Sequence, residues 1–165
     1  MHSFRVGFGY DVHQLQAGKK LIVGGVSIPH TKGALGHSDA DVLLHAIADA
    51  LLGAAALGDI GTHFPDTDSR FKDIDSIIIV RDVVHMLQEK NYSVGNIDTT
   101  VVLQQPKLST YIPEMQKQIA GVCKIDESEV SVKATTTEHM GFTGREEGIA
   151  AYAVVMVVKG GNKVG

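Results

Sequence analysis

The chain has 165 residues, of which 44% are hydrophobic, and carries a formal charge of −4 with no run of Lys or Arg. That length suits one globular domain able to bury about 68–70% of its unfolded surface, and the missing basic patch excludes the electrostatic footprint of a nucleic-acid binder. A single cysteine, Cys123, rules out an intramolecular disulfide framework and a four-Cys zinc module, so it reads as a small buried residue on a helix face.

The first residues, Met1-His-Ser-Phe-Arg-Val6, run straight into an alternating pattern. No signal or transit segment is expected there, and the expected location is the cytoplasm, or an organelle if a targeting segment has been omitted. No apolar run approaches the about 20 residues that span a bilayer, so no membrane partner is expected either. From Arg5 to His13 the pattern is that of a strand: Val6, Phe8, Tyr10 and Val12 point one way and Gly7, Gly9, Asp11 and His13 the other. Asp11 and His13 therefore share a face. Leu21 to Ile28, bent at Gly24-Gly25, reads as a second strand, and Pro29 to Gly33 as a loop.

Ser38 followed three residues later by Asp41 is a capping-box-like start, from which a helix is expected to run to about Ala56. Val42, Leu43, Leu44, Ala46, Ile47, Ala48, Ala50, Leu51 and Leu52 surround its axis almost completely, which marks a helix buried on most sides. Asp41, His45 and Asp49 are the exceptions, and their spacing of four places them along one stripe. An unpaired polar group in an apolar setting costs roughly 2–7 kcal/mol, so the stripe needs a partner.

Gly58 to about Asp75 fits no period and has the length of a functional loop. Ser76 to Lys90 is an ordinary packing helix with Ile77, Val80, Val84 and Leu87 on one stripe. Val94 to Leu103 is a strand ended by Gln104-Gln105-Pro106-Lys107, and a third helix places Ile112, Met115, Ile119 and Val122 on one face with Pro113 in its first turn. Val130 to Thr137 and Gly148 to Val158 are the last strands, flanking a loop from Glu138 to Glu147. This order predicts an α/β sandwich: one domain over residues 1–159, with a mixed four- to five-stranded sheet covered by helices on one face, and residues 160–165 as a frayed tail.

Asp11, His13 and His45 make an O,N,N donor set suited to zinc with one open position. The plain alternatives are a strand-end turn for the first two and, for His45, a core histidine satisfied by Asp41 or Asp49; Asp49 could instead orient His45 from behind. Asp59, Asp66, Asp68 and Asp73 read singly as solvated turn formers. In Ala134-Thr135-Thr136-Thr137-Glu138, hydroxyls at a strand end suit phosphate oxygens and the carboxylate suits Mg²⁺ or Mn²⁺, although threonines also simply favour strands.

Seven segments in order resemble the 2C-methyl-D-erythritol 2,4-cyclodiphosphate synthase family of non-mevalonate isoprenoid synthesis: Gly9 to His13, His37 to His45, Asp49 to Gly61, Phe64 to Asp68, Gln105 to Lys107, Val132 to Glu138 and Gly141 to Arg145. The resemblance implies a phosphorus–oxygen lyase that closes 4-diphosphocytidyl-2C-methyl-D-erythritol 2-phosphate into the cyclic diphosphate and releases CMP. It implies zinc on Asp11, His13 and His45, and a second divalent cation, Mg²⁺ or Mn²⁺, on Glu138. His37 and Thr136 would steady the developing charge, with His37 and Ser38 on phosphate. Asp59, Ile60, Gly61, Phe64, Pro65, Asp66, Thr67 and Asp68 would hold the erythritol part. Leu103, Gln104, Gln105, Pro106, Lys107, Leu108, Ser109, Thr135, Thr136 and Thr137 would line the cytidine side. It further implies a homotrimer with sites shared between adjacent chains. On its threefold axis Phe142 and Arg145 would meet an isoprenoid diphosphate, a buffer anion, or Glu146 or Glu147 of a neighbour. The competing readings are a metal-dependent phosphohydrolase and a non-catalytic cytidine-nucleotide binding module on the same scaffold.

Overall fold

In the computed structural model, which describes residues 3–160, the sheet is organised around two long antiparallel strands. β1 (Phe4–Ala17) pairs with β7 (Gly148–Lys159) from Phe4 opposite Val158 to Gln14 opposite Gly148. β7 pairs on its other side with β5 (Tyr92–Val102), which runs parallel to β6 (Val130–Thr135). β4 (Lys32–Leu35) closes the other edge against the end of β1, giving five strands in the order β4-β1-β7-β5-β6.

The mixed five-stranded sheet is as expected, but three local readings change. The segment expected as one bent strand is a hairpin of β2 (Leu21–Val23) and β3 (Val26–Ile28), because Gly24 and Gly25 both take positive φ, at 61° and 76°, and reverse the chain in two residues. Part of the expected loop is β4, whose residues gain ladder partners on β1 that no local pattern announces. The strand expected to reach Thr137 stops at Thr135. Residues 161–165 of the expected tail lie outside the described residues; Gly160 is still tied down, its amide donating to the Asn91 carbonyl at 2.9 Å.

The buried helix α1 (Val42–Ala54) is capped by Asp41, three residues later than the Ser38 signal implies. The Asp41 carboxylate accepts from the amides of Leu43 and Leu44 and, across the chain, from Gly24 and Gly25 at 2.9 and 2.7 Å. One side chain therefore starts the helix and fastens the hairpin to it, while Ser38 is left free to turn toward His45. A short helix α2 (Ile60–His63) follows in the long loop. Then come α3 (Ser76–Glu89) and α4 (Ile112–Cys123), where Pro113 occupies the first turn as expected, and Cys123 is buried, which pushes its thiol up to about 12.

α1 lies on β1 and β7, α3 beside it against β5, and α4 against β6, so one face of the sheet is covered. The strand β1 packs in an unexpected sense. Its apolar residues Val6, Phe8, Tyr10 and Val12 face outward, Val6 and Phe8 being 62% and 61% exposed, while Gly7 and Gly9 face α1. A Cβ at Gly7 would sit 1.9 Å from the Ala50 carbonyl oxygen, and one at Gly9 would sit 2.0 Å from that of Ala46. Helix backbone and strand backbone are therefore in direct contact, and no side chain fits between them. Gly9→Ala should destabilise the chain by about 3 kcal/mol or more, because the obstructing atoms are backbone and cannot rotate away. Urea midpoints of the two proteins check this, and a loss under about 1 kcal/mol would show that the helix tolerates being lifted.

A candidate metal centre and its two cavities

Each step of two residues along β1 matches one turn of α1: Gly7 meets Ala50 and Gly9 meets Ala46. The next step places Asp11 beside the first turn of α1, where His45 points back at it. Asp11 Oδ2, His13 Nε2 and His45 Nδ1 form a triangle with sides of 2.9, 3.1 and 3.2 Å. Ligands held at about 2.0–2.1 Å in a tetrahedron lie about 3.3–3.4 Å apart, so the three donors fit a small divalent ion after an expansion of tenths of an ångström. Among the described residues this is the only group of three or more His, Cys, Asp or Glu with such spacing.

The charges reinforce one another. Burial works against ionisation of Asp11, but hydrogen bonds from His13 and His45, and their charge, outweigh it and hold the carboxyl at about 2. For His45, desolvation works against protonation, yet the hydrogen bond and charge of Asp11, with Asp41 and Asp39 behind it, raise its pKa above 6.5. The Asp41 carboxyl is pushed up to about 6 by its burial, while the amides of Gly25 and Leu44 pull the other way.

The triad opens into a cavity of about 520 Å³. His37, Ser38, Ile60, Gly61, Phe64, Pro65 and Asp66 line it, and Gly36, Phe71, Ile74 and Ile79, which sequence reasoning did not name, complete it. Phe64 and Phe71 meet edge to face at 5.3 Å and wall one side. Asp59, Thr67 and Asp68 are not in the lining. Asp59 caps α2 by accepting from the Thr62 amide and hydroxyl at 2.8 and 2.7 Å, and Asp68 is held by Arg70, with its carbonyl 3.4 Å from His37 Nε2. Asp49 does not orient His45; it accepts from the Ile60 amide at 3.0 Å and anchors α2. His45 turns its Nε2 instead toward Ser76 and Ser38, at 2.9 and 3.1 Å. Nothing in the amphipathic pattern of α3 singles out Ser76; its only signal is a polar residue at the start of a buried helix.

A second cavity, about 210 Å³, is lined by Leu103, Gln104, Pro106, Lys107, Leu108, Ser109, Ile112, Ala134, Thr135 and Thr136. Gln105 and Thr137 lie outside that lining, Thr137 bonding to Met140 and Thr143 instead. Beyond it the backbone turns through positive φ at Glu138 and His139, 52° and 64°, and the exposed Glu138 carboxylate has no hydrogen bond or ion pair among the described residues. Phe142, from the short helix α5 (Gly141–Gly144), covers Gly148, the first residue of β7. Arg145 pairs with Glu147 of its own chain at 2.9 Å.

Both cavities lie at the same end of the sheet, since Val12 and Val102 flank Ala150 and Val102 also pairs with Thr135. Three strand spacings, roughly 14 Å, separate β1 from β6, and the linings share no residue. Among the described residues no helix is long and apolar enough to cross a membrane.

Fold and site define a small α/β sandwich protein with a metal-competent triad opening into a ligand-sized cavity. The chain belongs to the YgbB family, whose sequence model matches residues 4–158. A relative from Syntrophomonas wolfei, named 2-C-methyl-D-erythritol 2,4-cyclodiphosphate synthase, is 60% identical over 153 residues, 93% of this chain and 98% of the relative. The solved bifunctional IspDF of Campylobacter jejuni superposes with a TM-score of 0.93 at 42% identity, covering 96% of this chain, which spans only 43% of that longer protein. The Plasmodium falciparum IspF, solved as a CDP complex, has a TM-score of 0.84 at 37% identity, covering 95% of this chain and 97% of its own.

The charge pattern predicts how the metal-free protein responds to pH. The raised pKa of His45 contributes stability that is complete below 6.5 and lost as pH rises through its folded value. The lowered pKa of Asp11 contributes stability present above 3.8 and lost as pH falls toward about 2. Urea midpoints measured in chelator should therefore fall as pH rises above 6.5, and Asp11→Asn should flatten that fall. A slope unchanged by Asp11→Asn would remove the triad as its source.

Proposed function

We propose that the chain is a 2-C-methyl-D-erythritol 2,4-cyclodiphosphate synthase, converting 4-diphosphocytidyl-2C-methyl-D-erythritol 2-phosphate to the cyclic diphosphate with loss of CMP. The observation that carries this is the open-sided triad in the larger cavity, with a hydroxyl-lined cavity at the same sheet end. The names of the relatives and the CDP complex of one of them support the same reading. The 2-phosphate oxygen attacks the β-phosphorus while the bond from that phosphorus to the CMP oxygen breaks, so one P–O bond forms and one is lost. Such a transfer needs positioning and charge neutralisation more than a covalent nucleophile, so no activated Ser or Cys is required.

In this reading Asp11, His13 and His45 hold zinc and Glu138 holds Mg²⁺ or Mn²⁺. When bound, these cations neutralise phosphate charge and clamp the in-line geometry. His37 and Ser38 orient the phosphates in the larger cavity, Ile60 to Asp66 receive the erythritol part, and Leu103 to Ser109 receive cytidine. Thr136 steadies charge on the diphosphate. An acidic chain thereby accepts a polyanion without a basic field.

The linings of the two cavities share no residue, and we place the complete site between neighbours in a homotrimer. The exposed face of Phe4, Val6, Phe8, Val12, Tyr152 and Val154 supports assembly, because contiguous apolar patches of this kind mark contact surfaces. An isoprenoid diphosphate on the axis would compete with Glu147 for each Arg145.

Phosphorus NMR of the purified protein with the cytidine substrate tests the reaction: a cyclic diphosphate should appear with CMP. An open-chain phosphate product would instead make the chain a phosphohydrolase, and binding without turnover would make it a nucleotide-binding module. His45→Ala should lose zinc by elemental analysis. Glu138→Gln should keep it and lose most turnover. The shared site is checked by refolding inactive His45→Ala chains with inactive Thr136→Ala chains, since random assortment leaves about a quarter of interfaces with both residues intact. No recovered activity despite confirmed exchange would place the whole site in one chain.

A further inference from the structure

The imidazole of His45 has two nitrogens, and only Nδ1 faces Asp11 and His13. The other, Nε2, lies 2.9 Å from Ser76 Oγ, a side chain with no exposed surface at the first residue of α3. That hydroxyl in turn makes a short hydrogen bond to Asp39 Oδ1, and the Ser76 amide donates to Asp39 Oδ2 at 3.0 Å. Asp39 is fixed from both sides, since its own amide donates to the Ile74 carbonyl and the Asp41 amide donates to its Oδ1, each at 3.1 Å.

We infer that Ser76 and Asp39 are positioning residues for His45, a buried relay that sets its tautomer and aims Nδ1 at the metal. The direction follows from donor counting. An ionised carboxylate only accepts, so the Ser76 proton goes to Asp39 and the Ser76 oxygen must accept from His45. Nε2 therefore carries the proton, and Nδ1 presents a lone pair to the cavity. A carboxylate behind the far nitrogen also makes the near one a better donor to a cation. Ser38 Oγ, 3.1 Å from the same Nε2, accepts from the Ala40 amide and lies in the cavity lining, whereas Ser76 is walled off from solvent. The relay also ties three separate segments together: the 37–41 loop, the start of α1 and the start of α3.

This inference rests on the triad's being a metal site, and the test separates the two. Zinc affinity is measured by competition with a chromogenic chelator for the wild type, His45→Ala, Ser76→Ala, Ser76→Thr and Asp39→Asn, alongside urea midpoints of the metal-free proteins. Ser76→Ala and Asp39→Asn should weaken zinc binding by about 10- to 100-fold, with Ser76→Thr recovering most of the loss. In NMR of the zinc-loaded wild type the His45 Nε2 proton should be resolved downfield and slow to exchange, and in Ser76→Ala it should be lost to solvent exchange, a change that general loosening of the fold would not single out. If the wild type and His45→Ala bind zinc equally, the metal reading itself fails. If His45 matters but Ser76→Ala and Asp39→Asn bind within about twofold of wild type, the relay is overturned. If Ser76→Ala does not fold, Asp39→Asn carries the same comparison, since its amide oxygen still accepts from a backbone amide.

Discussion

The contact on which the site depends is the meeting of two backbones, with Gly7 and Gly9 of β1 against the carbonyls of Ala50 and Ala46 of α1. A helix on a sheet is normally held off by side chains, and its register along a strand can then slide by adjusting rotamers. Here there are none to adjust. Carbonyl oxygens fit only into the hollows over the glycines, so the match of two strand residues to one helical turn is fixed. Asp11 and His13 are the continuation of that same strand face, and His45 sits one residue before Ala46. Placing three metal donors within 3.2 Å of one another is thus a consequence of packing four residues away.

The close approach also explains the polar residues at the start of α1. The helix end is buried against the sheet, the hairpin and α3, so its orphan amides cannot turn to water. Asp41 meets them with one carboxylate that also accepts from Gly24 and Gly25. At the start of α3 Asp75 is the cap, accepting from the Ile77 amide, and Asp39 takes the Ser76 amide from across the chain. Burial raises the pKa of Asp41, with a smaller push in the same direction from the charge of Asp39, and Asp39 also adds to the raising of His45. The same corner that solves the capping problem biases the site toward a cation.

The strand face of β1, the buried helix and the Asp11–His13–His45 set were legible in the sequence because each is carried by residue type at a fixed spacing, whereas the lining roles of the two loops came only from the family resemblance. What was misread was decided at a distance. Ser38 and Asp41 are both good caps locally, and Asp41 takes the role because Gly24 and Gly25 donate to it from another segment. Asp49 shares a stripe with His45, but Ile60 lies closer to its carboxylate than the imidazole does. β4 has no alternation and exists through its pairing with β1. Ser76 belongs to the site only because α3 begins beside the start of α1, a fact of tertiary packing that a helical period does not contain.

The open face of the sheet sets the last constraint. Alternation along β1 and β7 places Val6, Phe8, Tyr10, Tyr152 and Val154 on that face, whereas across β5 and β6 the same face carries Asp98 and Lys133, paired at 2.6 Å. The face therefore changes from apolar to charged over the width of two strands. A surface graded in this way suits closure about an axis on its apolar side, with the polar side left at the rim. On the proposed trimer that arrangement would turn the loops that follow β5 and β6 of one chain toward the triad of the next. The glycines that let α1 sink into the sheet are what send the apolar half of β1 outward, so one sequence choice both gathers the metal donors and leaves the face by which the neighbouring chain would complete them.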